Sequence, residues 1–242
     1  APPYMVVDLD CTFAKKTLTV RLALDGQLKV QGLFFTPAWN PPPDFDRGGF
    51  TERELTVGSK DLPLSATLTV PTHGKAPFPA VVLVHGSGPN DADETLGPNK
   101  LFKELAWGLA SRGVAVLRYQ KRTFQYRGKL ANGDVPTVKE ETLDDASSAV
   151  AVLATQKEVR ADRLFVAGHS MGAWLAPRIA AADPRLRGAV MLAASSRPQW
   201  HLVVEQLEYM SRLEATPALK QALANAKLSA KKLDDPGLKP TD

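Results

Sequence analysis

Arg163-Leu164-Phe165-Val166-Ala167-Gly168-His169-Ser170-Met171-Gly172 decides how this chain is read. An apolar strand over 163–168 ends at the first glycine, and a helix over 171–182 opens just after Ser170. A Gly-x-Ser-x-Gly match in that setting predicts a nucleophile elbow, because the strand-turn-helix context is what such an elbow needs. The turn holds its serine in strained backbone geometry, so the residues two before and two after it must be small for strand and helix to pack closely. Ser170 then projects above the strand ends beside a helix N-terminus, whose positive dipole end favours developing negative charge. The plainer alternative is an ordinary glycine-rich strand-to-helix turn; the agreement of all three elements favours the nucleophile.

Outward from the elbow, strands and helices alternate. Continuous apolar strands are expected over 79–84, 114–119 and 188–194, and helices over 100–112 and 140–155. Two further strands, 54–57 and 66–70, precede them and are joined by a polar turn. Unbroken apolar strands separated by amphipathic helices imply a doubly wound, mainly parallel sheet with helices on both faces, an α/β fold. After it, 202–213 and 217–233 read as two consecutive helices, the second opened by Thr216-Pro217. Leu202, Val203, Leu207, Met210 and Leu213 occupy apolar positions of the first. They either line an acyl pocket or pack on the core.

The N-terminal residues follow another period. Leu18, Val20, Leu22 and Leu24 alternate with polar neighbours, and the alternation resumes after Asp25-Gly26 with Leu28, Val30 and Phe34. An Asp-Gly pair between two such runs predicts a hairpin whose glycine supplies positive φ. With 4–13 as a third strand, residues 1–36 read as the end of a small N-terminal β-rich domain, too short for independent stability. Residues 36–49 hold four prolines and two glycines, so 37–49 is a Pro/Gly-rich linker. The expected organisation is then a core over 50–197 with its first six strands, followed by a helical cap segment over 198–242.

Composition narrows the functional classes. The 242 residues are 44% hydrophobic and 23% charged, within the globular range. A net charge of +4 is spread along the chain, which argues against a nucleic-acid partner. No apolar run approaches the roughly 18 residues of a membrane span. One cysteine, Cys11, and four histidines leave no disulfide framework and little scope for a metal site, so no metal and no cofactor are expected. Ala1-Pro2-Pro3 reads as a mature or trimmed end, compatible with a cleaved export signal, and localisation stays open.

The second chemistry-bearing motif is His85-Gly86-Ser87-Gly88-Pro89, at the end of the strand over 79–84. Acyl transfer creates a tetrahedral oxyanion, and each backbone N–H aimed at it stabilises the transition state by roughly 3 kcal/mol. The best-placed donors are Met171 N–H, just after the nucleophile, and Ser87 N–H, in a loop that glycines at 86 and 88 let approach the substrate. His85 is read as an anchor of that turn rather than a base.

These segments, with Asn90-Asp91, Asp93-Glu94-Thr95, Gly97-Pro98-Asn99-Lys100 and Leu117-Arg118-Tyr119-Gln120-Lys121-Arg122-Thr123, resemble the α/β-hydrolase superfamily. The closer likeness is to a bacterial serine esterase branch with a small N-terminal domain. The family usually carries Asp where this chain has Gln120, so a salt bridge from that position to Lys121 or Arg122 is not expected. The resemblance implies a Ser-Asp-His triad in that chain order. The 72 residues after Ser170 contain one histidine, His201, which follows the strand near Ala194 directly and opens a helix, too early for a general base. Asp183, Asp234, Asp235 and Asp242 lie in a helix end or a polar tail, and Asp144 and Asp145 read as helix-face charges.

The expectation is therefore a serine hydrolase cleaving a small-molecule carboxylic ester through an acyl-enzyme at Ser170, with the Ser87 and Met171 amides as the oxyanion hole. The triad Asp and His, and the last strands of the sheet, would come from a C-terminal remainder, as a second chain or a missing segment. A serine peptidase or lactone-cleaving chemistry uses the same constellation. A non-catalytic ligand-binding module of the same fold is the rival from another class.

Overall fold

The computed structural model describes residues 5–43, 46–130 and 136–238. The N-terminal Ala1-Pro2-Pro3, Tyr4 of the first expected strand, two positions of the linker, the last residues of the cap segment and Asp242 lie outside the described residues. The chain divides into two compact units, Ala1–Leu192 and Ala193–Asp242.

Strands β1 (Met5–Thr12), β2 (Thr17–Leu24) and β3 (Val30–Pro37) form an antiparallel sheet in that order. Its register places Leu9, Val20 and Phe35 in one row and Val7, Leu22 and Leu33 in the next. Because side chains alternate between faces, one face is apolar and the other carries Asp8, Asp10, Thr19, Arg21 and Thr36. The polar face is held together by Arg21 donating to Asp8 at 2.8 Å and Thr19 to Asp10 at 2.6 Å. It borders a cleft of about 590 Å³ whose opposite wall includes Pro89, Asn90 and Asp91. On the apolar face Met5, Leu9, Val30, Leu33 and Phe35 are all exposed. The hairpin turn differs from expectation: positive φ falls on Leu28, at 61°, and not on Gly26. The Asp25 carboxylate explains this, accepting the Gln27 and Lys29 amides at 2.8 and 3.0 Å and so building the turn from its side chain.

The main sheet begins with the antiparallel pair β4 (Phe50–Gly58) and β5 (Pro63–Pro71). It continues with β6 (Phe78–Val84), and a small hairpin follows from β7 (Thr95–Leu96) and β8 (Asn99–Lys100). Helix α1 (Leu101–Ala110) leads to β9 (Ala115–Tyr119). Two short turns, α2 (Arg122–Gln125) and α3 (Arg127–Leu130), precede α4 (Asp145–Ala154), which starts from a π-helical segment over Lys139–Asp144. Then come β10 (Val159–His169), α5 (Met171–Ala182) and β11 (Leu186–Leu192).

The strand order is β11-β10-β6-β9-β5-β4, with β11, β10, β6 and β9 mutually parallel. This is the mainly parallel, doubly wound sheet of the sequence reading. Alternation along β6 explains why it is apolar without interruption. Val81 and Leu83 pack with Phe102 and Ala106 of α1, whereas Ala80, Val82 and Val84 join Ala149, Leu153 and Leu175 of α4 and α5. Each fully buried Val or Leu contributes about 1.5–3 kcal/mol.

At the β11 edge no further strand pairs among the described residues, and Val190 and Met191 are 49% and 46% exposed. In the second unit α6 (Gln199–Leu213) is followed by α7 (Pro217–Leu233). Thr216 caps α7 by accepting the Leu219 N–H at 3.2 Å, with Pro217 at the first turn. Among the described residues no helix is long and apolar enough to cross a membrane.

Candidate active site

Ser170 joins β10 to α5 at φ 53°, ψ −114°, a conformation that costs a non-glycine residue free energy. What holds it there is a pinch of three backbones. A Cβ on Gly168 would lie 2.2 Å from the Gly172 carbonyl carbon, and one on Gly172 would lie 2.2 Å from the Val84 carbonyl oxygen. The end of β6, the end of β10 and the first turn of α5 therefore approach closer than any side chain allows. Ser170 N–H donates to the Leu192 carbonyl at 2.9 Å, which ties the turn to the end of β11. Among the described residues Ser170 Oγ has no hydrogen-bond partner.

The loop after β6 is brought against this turn. A Cβ on Gly86 would sit 3.2 Å from Ser170 Cβ, so glycine at 86 is what lets the loop reach the serine. Ser87 is exposed on this loop, and Met171 is buried as the first residue of α5. His85 is buried, its Nε2 donating to the Asp91 carbonyl at 3.0 Å between the rings of Phe102 and Tyr119. Burial, reinforced by the charge of Lys121, pushes its pKa down to about 3, so the imidazole is neutral.

Beneath the loop lies a set of charged side chains to which composition and spacing assigned no role. Lys121, 1% exposed, donates to the carbonyls of Gly86 and Gly88 at 2.8 and 2.9 Å and pairs with Glu141 at 3.4 Å. Burial pushes its pKa below the usual lysine range, against the pull of Glu141. Glu94, also buried, has φ 47° and accepts the Gly86 N–H at 2.7 Å. His169 Nδ1 lies 3.1 Å from the same Glu94 oxygen, off the line of a hydrogen bond. Asn90 Nδ2 faces the carbonyls of Gly86, Ser87 and Gly88 at 3.2–3.3 Å. Arg118 ties the 91–95 segment to the sheet through Asp93 at 2.9 Å and Glu52 at 2.7 Å.

Gln120 takes no part in an ion pair; its side-chain carbonyl accepts the Ala92 N–H at 3.1 Å. The partners of Lys121 and Arg122 come instead from the following helix, as Glu141 and Asp145. Asp144 is an exposed partner of Lys139, as a helix-face charge should be. Asp145 is not a face charge: it is 1% exposed and paired with Arg122, because it points under the strand end. A signal for this was available in the run Lys121-Arg122 at the end of a buried strand, two charges that must find partners.

His201 lies in the second unit, where its Nε2 is 2.9 Å from Asp234 Oδ1, an oxygen that also accepts from Trp200 at 2.8 Å. A triad base keeps Nε2 for the nucleophile and turns Nδ1 to its acid, so this pairing is not that of a base. Among the described residues no group of His, Cys, Asp and Glu is arranged to hold a metal ion.

A doubly wound sheet carrying a serine on a pinched strand-to-helix turn, faced by a glycine loop from the adjacent central strand, defines the α/β-hydrolase class of protein. The profile of the alpha/beta hydrolase family matches residues 81–239, and the chain belongs to that family. It is 40% identical over 224 residues to Esterase EstD of Thermotoga maritima, an alignment covering 91% of this chain and 52% of the esterase. The chain thus spans about half the length of that curated relative. Among solved structures, brefeldin A esterase, a bacterial homologue of human hormone-sensitive lipase, superposes with a TM-score of 0.50 at 18% identity, covering 65% of this chain and 43% of that one. A hypothetical protein from Pseudomonas aeruginosa gives a TM-score of 0.50 at 18% identity, covering 77% and 61%. At that identity the likeness is one of fold.

Proposed function

We propose that this chain carries the nucleophile and oxyanion hole of a carboxylic ester hydrolase. The observation that carries the reading is the strained backbone of Ser170, maintained by two glycine contacts that no other residue permits. Strain of this kind persists where it serves function. Similarity to an esterase at 40% identity supports ester over other acyl substrates.

In this reading Ser170 Oγ attacks the acyl carbon of a small-molecule ester while its proton passes to a general base. The carbonyl oxygen becomes an oxyanion between the Ser87 and Met171 N–H groups. Collapse breaks the ester C–O bond, the alcohol leaves with a proton returned by the base, and water hydrolyses the acyl-Ser170 intermediate by the reverse sequence. The base and its acid come from a C-terminal remainder. The β11 edge, which no strand pairs among the described residues and on which Val190 and Met191 are half exposed, supports this, since an apolar edge is an association hazard that further strands remove.

The test is fluorophosphonate labelling with p-nitrophenyl acetate turnover on protein of known intact mass, wild type against Ser170→Ala. Labelling and turnover that both vanish in Ser170→Ala are expected wherever the remainder is present. A protein with a complete sheet that leaves Ser170 unlabelled is a binding module instead.

A further inference from the structure

We infer that Lys121 is a positioning residue for oxyanion stabilisation, acting through the single peptide group that joins Gly86 to Ser87. This rests on the reading of Ser170 and Ser87 above and adds to it a residue that makes one of the two donors stronger than the other.

Three acceptors surround Lys121 Nζ: the carbonyls of Gly86 and Gly88 at 2.8 and 2.9 Å and Glu141 Oε2 at 3.4 Å. A neutral amine has two N–H bonds and a lone pair, whereas an ammonium has three donors and no acceptor. Two carbonyls that accept from Nζ, a carboxylate 3.4 Å away and, among the described residues, no donor facing it suit the charged form. A cation is thus buried directly against the Gly86 carbonyl.

That carbonyl and the Ser87 N–H belong to one planar trans peptide, in which C=O and N–H point in opposite directions. Fixing the oxygen on Lys121 therefore aims the Ser87 N–H away from it. The preceding peptide is fixed as well, since the Gly86 N–H is held by Glu94 at 2.7 Å. Two neighbouring peptide planes are pinned by buried charges of opposite sign, one through its N–H and one through its oxygen. A glycine loop that would otherwise sample many conformations is left with one.

The contact also polarises. A cation on the oxygen draws electron density through the amide and leaves the Ser87 proton more positive, an effect that is strong where the local dielectric is low. The second bond of Lys121 has no such outlet, because the Gly88 carbonyl is joined to Pro89, which has no N–H. The other donor provides an internal comparison. Met171 N–H shares its peptide with the Ser170 carbonyl, which accepts the neutral Trp174 N–H at 3.0 Å and, among the described residues, no charged donor.

The test compares Lys121→Met and Lys121→Gln with wild type in p-nitrophenyl acetate turnover, each in protein that includes the C-terminal remainder and each confirmed folded by circular dichroism. Removing an oxyanion donor outright costs about 10²–10³ in kcat. Lys121→Met is expected to lower kcat by about 10- to 100-fold with KM within about threefold. Lys121→Gln, which keeps N–H donors without the charge, recovers part of that loss. A folded Lys121→Met protein with kcat within about twofold of wild type overturns the inference, as does a loss carried by KM. A measurement on the unsubstituted protein holds even if neither variant folds. In a phenylboronic acid adduct of Ser170, the Ser87 amide proton is expected further downfield than that of Met171; the opposite order overturns the inference. In protein that includes the C-terminal remainder, failure of wild-type Ser170 to label with a fluorophosphonate overturns the nucleophile reading too, whereas labelling with unaffected Lys121→Met turnover removes only the role of Lys121.

Discussion

Arg122 and Asp145 meet as a bidentate pair, Nε to Oδ2 at 2.8 Å and Nη2 to Oδ1 at 2.6 Å, with both side chains withdrawn from solvent. The pair joins the segment after β9 to the start of α4, 23 residues on. Burying two charges is costly, and their attraction offsets that cost only while both are present. Asp145→Ala is therefore expected to destabilise the fold by about 3–5 kcal/mol, read from the urea midpoint. The double change Arg122→Met with Asp145→Leu is expected to lose less than the single one. A double variant as unstable as Asp145→Ala would mean that helix packing, not charge, is at stake.

Ser170 illustrates a conflict between stability and geometry. With φ at 53°, glycine suits the position better than serine. Ser170→Gly is expected to raise the thermal midpoint, by an amount equivalent to about 1 kcal/mol, while abolishing fluorophosphonate labelling. Ser170→Ala keeps the strain, so it loses labelling with little gain in stability. Equal midpoints for the two variants would show that the turn is not strained.

Two glycines separate close approach from mere tolerance. Gly172→Ala puts a carbon 2.2 Å from the Val84 carbonyl oxygen, a backbone atom with no room to yield. Loss of more than about 4 kcal/mol, or of soluble protein altogether, is expected. At Gly108, within α1, the nearest atom to an added Cβ is 3.8 Å away and belongs to a flexible arginine. Gly108→Ala should stabilise by up to about 1 kcal/mol through helix propensity. Paired thermal melts decide both.

His85 makes the fold sensitive to acid. Its folded pKa lies near 3 against 6.5 for an unperturbed histidine, because burial and the Lys121 charge disfavour the imidazolium. Between those values the unfolded chain binds a proton that the folded chain refuses. Stability from this group is complete above pH 6.5 and declines as pH falls toward 3. His85→Gln, which retains a donor for the Asp91 carbonyl, is expected to flatten the stability profile across that window. An unchanged slope in urea titrations from pH 7 to 4 would place the acid sensitivity elsewhere.

What the sequence by itself determined were the features whose cause is local. The Gly168-His169-Ser170-Met171-Gly172 elbow, the apolar run of β6 and the Thr216-Pro217 helix start are each encoded within a few neighbouring residues, by steric freedom, periodicity or a cap. Alternation along β1 to β3 likewise separates an apolar from a polar face. That the polar face borders the cleft by Pro89 and the apolar one stays exposed is a matter of packing. Leu28, not Gly26, takes the positive φ because a side-chain carboxylate two or more positions away shapes the turn. The charged residues under the 86–88 loop were decided only by the tertiary structure. Lys121 is 35 residues from Gly86, and Arg122 is 23 from Asp145. A buried charge must be satisfied by whatever partner the fold brings within about 3 Å, and neither spacing nor period records which partner that is.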